Sequence, residues 1–175
     1  PWEGQGEYRR RSKGKQKRPF DRDELLKLLS TDTATVVGPR YGPAIQDLVR
    51  LGLMTGARLN ELCALAVADV DEDRHAVRIG ESKTEAGKRV IPVHDVVWPI
   101  VQRRREEAVR TGSNQPQAPL FPELPPQGPD RKRSWYLSKK FTVFRRRVLG
   151  ADNTVDFHSL RRTFATYLEQ AQRQS

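Results

Sequence analysis

The sequence predicts an α+β domain, mostly helical with a small antiparallel sheet, on three observations. Apolar residues recur at intervals of three and four through six segments, the signature of amphipathic helices. Only two short runs, 77–79 and 90–93, are rich in β-branched residues, and a polar stretch containing Gly87 separates them, so they form one hairpin. The chain of 175 residues is long enough for one core and short for two.

Each element has its own signal. Asp21 followed by Glu24 makes an approximate capping box, and Leu25, Leu28 and Leu29 share the face of a helix that runs to about Ser30. After the turn-forming run Gly38-Pro39-Arg40-Tyr41-Gly42-Pro43, the residues Ala44, Ile45, Leu48, Val49 and Leu51 keep helical period until Gly56 stops it. A further helix is expected over 58–66, with Leu59, Leu62, Cys63 and Ala66 on one side. Val77 and Ile79 pair with the run Val90, Ile91 and Val93, and the segment 81–88 between them is an extended basic loop. Asp95 is the expected cap of a helix through Val97, Ile100, Val101 and Ala108 that ends at Gly112. Six of the twelve prolines fall in 116–129, which reads as a surface loop. Ser134 is the expected cap of a helix that buries Leu137, Phe141, Phe144 and Val148 and turns Lys139, Lys140, Arg145, Arg146 and Arg147 outward, with Gly150 at its end. Phe157, Leu160, Phe164 and Leu168 form the buried stripe of a last helix.

Charge narrows the partner. The net charge is +10, and it is uneven: residues 1–18 carry +5, 19–100 carry −3 and 101–175 carry +8. Clustered cations gain free energy by displacing counterions from phosphates, so a polyanion is favoured, although basic ends can also be merely solvated. Residues 1–18 have no apolar periodicity and read as a flexible basic arm or interdomain linker, leaving 19–175 as the domain. A single cysteine, Cys63, excludes an intramolecular disulfide and a cysteine metal site and suits a reducing cytoplasm. No apolar run is long enough to cross a membrane, which takes about 18 residues or more. Asp69, Asp71 and Asp73 alternate like calcium ligands, but Arg74 and Gly80 stand where that loop needs glycine and glutamate, and His75, His94 and His158 have no metal spacing.

Three local patterns can carry chemistry. In Thr55-Gly56-Ala57-Arg58-Leu59-Asn60-Glu61-Leu62 an arginine follows a glycine helix stop, at the start of the next helix with its amide donors and positive dipole end, and Glu61 three residues on can orient its guanidinium. Ser82-Lys83-Thr84 places a lysine on the hairpin, with Lys88-Arg89-Val90-Ile91-Pro92 behind it. His158 and Arg161 stand three apart on the last helix, away from its apolar stripe, where both can meet one phosphate; Arg162 beside them is a backbone contact or simply exposed. Each pattern alone has a bland reading as a solvated surface pair or charged turn.

Their order and spacing together resemble the tyrosine recombinase, or phage-type integrase, family from about Phe20 to the end of the chain. The resemblance implies a mostly helical tyrosine-recombinase catalytic domain, with residues 1–18 as the linker to an N-terminal domain. By position it makes Arg58 and Arg161 the two catalytic arginines, Lys83 the hairpin lysine, His158 the histidine and Glu61 the acidic support. Arg9, Arg10, Arg11, Lys88, Arg89 and Arg162 become candidate DNA contacts. It further implies cleavage of double-stranded attachment-site DNA through a 3′-phosphotyrosyl intermediate, without ATP, metal or other cofactor, by a tetramer on DNA helped by DNA-bending or directionality factors.

The family continues past this helix through a Gly-His or similar motif to a helix bearing the nucleophilic tyrosine, and neither occurs within these 175 residues. The resemblance therefore implies a C-terminally incomplete catalytic domain with its nucleophile beyond Ser175, inactive for cleavage by itself. Tyr167 lies on the same helix as His158, too near for that role, and Tyr8, Tyr41 and Tyr136 match no catalytic motif. The competing expectation is a non-catalytic basic DNA-binding module.

Overall fold

The computed structural model describes residues 17–80, 88–111, 115–151 and 154–174. Helix α1 (Arg22–Ser30) begins where the sequence puts it: the Glu24 amide donates to Asp21 Oδ1 at 2.8 Å, and the Asp21 amide donates back to Glu24 Oε2 at 3.1 Å. These bonds satisfy two donors that a helix start leaves open. A short helix α2 (Thr33–Val37), without an apolar stripe long enough to read, is capped by Asp32. Helix α3 (Gly42–Thr55) crosses close over it. A Cβ on Gly42 would sit 2.5 Å from Ala34 Cα, so no larger residue fits.

Helix α4 (Leu59–Cys63) is shorter than the expected 58–66. The reason lies in the backbone beyond it. Leu65 O accepts from the Leu120 amide at 2.9 Å and the Val67 amide donates to Ala118 O at 2.9 Å, so these groups are committed to a distant segment rather than to another helical turn. A 3-10 turn (Val67–Asp69) leads into a three-stranded antiparallel sheet of β1 (Val70–Asp71), β2 (Ala76–Ile79) and β3 (Arg89–Pro92), in that order, with Val77 opposite Ile91 and Ile79 opposite Arg89. The pairing of the two runs is therefore as expected, residues 81–87 of the expected loop lie outside the described residues, and β1 adds an edge too short to show period two.

Helix α5 (Trp98–Thr111) does not take Asp95 as its cap. The Val97 and Trp98 amides donate instead to His94 O, at 2.9 and 3.0 Å, and Asp95 turns to His75, which stacks on Trp98 at 4.7 Å. The proline-rich segment 116–129 is not a surface loop throughout. Leu120, Phe121 and Leu124 are at most 1% exposed and thread through the core, their hydrophobic gain outweighing the absence of regular structure.

Helix α6 (Ser134–Leu149) starts at Ser134 rather than being capped by it; the hydroxyl donates to Asn60 Oδ1 at 3.0 Å and ties α6 to α4. Arg145, expected outside, is buried, and that burial lowers its pKa. Helix α7 (Phe157–Gln174) packs Phe157 and Leu160 against α3, while the end of its stripe emerges: Phe164 is half-buried and Leu168 is exposed. Gly52 makes the close α3–α7 approach possible, since a Cβ there would lie 3.0 Å from the Phe157 ring. Among the described residues no helix is long and apolar enough to cross a membrane.

Candidate active site

The site is assembled where α3 ends, α4 begins and α7 crosses. Gly56 ends α3 in the left-handed region at φ 61°, which reverses the chain so that Arg58 follows in extended conformation as the residue before α4. Its side chain is more than half exposed and its Nη1 donates to Glu61 Oε1 at 2.8 Å, while its own amide donates to Glu61 Oε2 at 2.8 Å. Arg58 and Glu61 thus form a hydrogen-bonded ion pair. At five residues α4 has little macrodipole, so the charge presented here is mainly the guanidinium itself.

Glu61 has a second cationic partner that local spacing does not reveal. Arg89, the first residue of β3, donates from Nη1 to Oε1 at 3.2 Å and from Nη2 to Oε2 at 2.7 Å. Burial by itself would raise the Glu61 pKa; the hydrogen bonds from Arg89 and Arg58 overcome it and hold the carboxyl at about 2. Such a carboxylate stays charged at neutral pH and can anchor both guanidinium groups.

From the other side, Arg161 on α7 donates through Nη1 to Gly56 O at 2.6 Å, two residues before Arg58. His158, one turn earlier on α7, is exposed and lines a cleft of about 280 Å³ together with Ala57, Arg58, Leu59, Ser138 and Asp156. Arg58 and His158 therefore line one cleft, and Arg161 is bonded to the backbone two residues before Arg58 without lining that cleft itself. Asp156 also caps α7 by accepting from the Ser159 amide at 3.1 Å, and it meets Lys17 at 3.5 Å, which brings the end of the basic N-terminal segment to the rim of the cleft. Ser138 and Asp156 had no signal in the sequence, because each reaches the cleft only through the packing of α6 and α7.

Lys83 lies outside the described residues, as do Arg9, Arg10 and Arg11. Lys88 is exposed at the start of β3, and Arg162 is half-buried on α7 beside Arg161. Tyr167 is six residues beyond Arg161, about 9 Å along the axis and on another side of the helix, at helical rise and pitch. Burial pushes the Cys63 thiol up, so it is no nucleophile. Among the described residues no group of three or more histidine, cysteine or acidic side chains could hold a metal ion. Two arginines, one braced by a carboxylate and one by a carbonyl, with a histidine beside them, suit a phosphoryl group that gains negative charge.

Comparison with known proteins bears on the family and the fold. The profile of the phage integrase family matches residues 20–174. Among solved structures, the fold is similar to that of XerA recombinase, with a TM-score of 0.57 at 17% identity over 93% of this chain and 52% of that one. It is also similar to the Tn1549 transposon integrase in complex with circular intermediate DNA, with a TM-score of 0.60 at 20% identity over 87% of this chain and 54% of that one. The chain thus spans about half the length of these two solved chains. A comparison with curated protein sequences found no match.

Proposed function

We propose, since the chain belongs to the phage integrase family, that it supplies the phosphate-activating part of a site-specific recombinase acting on double-stranded DNA. Residues 19–175 form the catalytic domain and 1–18 the basic arm leading into it. The observation that carries this reading is the 2.6 Å bond from Arg161 to Gly56 O, which brings the second arginine to the backbone that presents the first, with His158 and Arg58 lining one cleft.

In the reaction, a tyrosine oxygen forms a bond to the scissile phosphorus as the bond to the 5′-oxygen breaks. Arg58 and Arg161 hold the added negative charge of the pentacoordinate phosphorus, a role for which a permanently charged, bidentate donor is suited. His158 assists removal of the tyrosine proton, and Lys83 gives a proton to the departing 5′-oxygen. After strand exchange a 5′-hydroxyl attacks the 3′-phosphotyrosyl link and releases the tyrosine. One phosphodiester is made for each one broken, so no ATP or metal enters the balance.

The nucleophile in this proposal comes from outside these residues, since Tyr167 points along another side of α7. The full-length protein acts as a tetramer on attachment-site DNA, with DNA-bending or directionality factors. Incubated with a nicked suicide substrate, full-length protein is expected to form a covalent phosphotyrosyl adduct that this chain alone does not. Arg58→Ala or Arg161→Ala should slow adduct formation on the order of 10² to 10³ while weakening DNA binding far less. Loss of affinity with no adduct from the wild-type protein on its own site would instead identify a non-catalytic DNA-binding module.

A further inference from the structure

We infer that Arg89 is a positioning residue of the active site, acting through Glu61 to fix the direction of the Arg58 guanidinium. The inference rests on the recombinase reading above and adds to it a residue from a different element. Glu61 receives two hydrogen bonds from its own helix start, the amide and Nη1 of Arg58, and two from Arg89 across a sequence distance of 28 residues. The side chain of Glu61 is only 10% exposed and that of Arg89 only 30%, whereas that of Arg58 is 58% exposed. The inner arginine is therefore the brace and the outer one is presented.

The geometry explains why one carboxylate needs both. An exposed arginine held at one oxygen by a single bond can swing, since a solvated ion pair contributes little. Arg89 grips both Glu61 oxygens in fork fashion, so the carboxylate plane, and with it the Oε1 that receives Arg58, is fixed to the sheet. Backbone pairing holds Arg89 in turn, opposite Ile79 in the β2–β3 ladder. Strand position is thereby converted into guanidinium direction, as outer-shell partners orient the ligands of metal sites.

Among the described residues, the other charged groups that line a cavity of about 150 Å³ with Glu61 are Asp69 and Arg78. Both have partners of their own: Asp69 accepts from the Ala66 amide at 2.8 Å, and Arg78 pairs with Asp71 at 2.8 Å. Neither is bonded to Glu61 in place of Arg89. Without Arg89, burial acts on Glu61 against Arg58 alone, and its pKa rises from about 2. Below the new pKa the protonated carboxyl no longer pairs with Arg58, so the rate falls as pH falls.

The test is single-turnover adduct formation by full-length wild-type, Arg89→Ala, Arg89→Lys, Glu61→Gln and the Arg89→Ala/Glu61→Gln double variant, at saturating DNA and across pH. Arg89→Ala should lose about 10- to 100-fold in rate, the usual range for an outer-shell partner, with DNA affinity within about twofold. Its deficit should deepen toward acid pH, and Arg89→Lys should recover part of the rate. The double variant should be no slower than the slower single, since both lesions break one relay. Carbon-13 titration of the Glu61 carboxyl, which needs no cleavage, should place its pKa higher in Arg89→Ala than in wild type. Weakened DNA binding with an unchanged rate on bound DNA, additive losses in the double variant, or an unmoved Glu61 titration overturns the inference. A wild-type protein that binds its site and forms no adduct overturns the recombinase reading instead, while the Glu61 titration still judges the relay.

Discussion

Gly56 illustrates how much a single position can carry. Its φ of 61° is a conformation that other residues adopt at a cost, and a Cβ built there would lie 2.6 Å from Cδ1 of the Phe164 ring. Gly56→Ala should therefore destabilise the protein by about 1–3 kcal/mol, strain and overpacking together, and the midpoint of urea unfolding measures it. An unchanged midpoint would mean that Phe164 gives way freely and that the contact is not tight. At this scale much of the site was legible in the sequence. Arg58 with Glu61, and His158 with Arg161, stand three residues apart, a spacing that any helical reading turns into adjacency. Arg89 on Glu61 and Asp156 in the cleft were not legible in that way, because each contact depends on how distant segments pack, and nothing local in the chain encodes that.

Between elements, the firmest polar joint lies away from the cleft. Asp47 on α3 accepts from Arg104 Nε at 2.7 Å and from Arg103 Nη2 at 2.7 Å; Arg104 also donates to Glu123 Oε1 at 2.7 Å and covers the Phe121 ring at 4.7 Å. Helix α5, α3 and the proline-rich segment are clamped together by this group. Asp47 and Arg104 are both buried, so Asp47→Ala should cost about 1–3 kcal/mol by leaving the Arg104 Nε donor unpaired while Glu123 still offsets its charge. Replacing both with apolar residues of similar volume should recover much of that loss in thermal or urea unfolding, and a double variant as unstable as the single would contradict this account. The clamp also shows why some elements escaped the sequence. Long amphipathic segments such as α3 and α6 announce themselves by period, and Asp21 with Glu24 fixes the start of α1. The five-residue α2 is too short for a period to register, α4 was expected by its period but stops earlier than 58–66 implied, and in 116–129, with no periodicity of its own, Ala118, Leu120, Phe121 and Leu124 are buried because other elements leave them a place.

For the molecule as a whole, the uneven charge should govern association with DNA. Affinity for duplex DNA should fall steeply with salt, with a log–log slope near 0.9 for each phosphate neutralised, and removing residues 1–18, which carry seven basic side chains, should flatten that slope. Titrations at several salt concentrations check both statements; equal slopes with and without the segment would remove it from the interface. The fold places Arg58 and Arg161 beside the α3–α7 seam. Gly52 lets Phe157 close on α3, and Arg161 is bonded to the residue that ends α3. Regions that open cheaply are those with few buried contacts, and this junction has many. The backbone segments that carry the two arginines are accordingly joined through the α3–α7 seam, and a buried substitution there, far from any phosphate, should read out as a defect in chemistry.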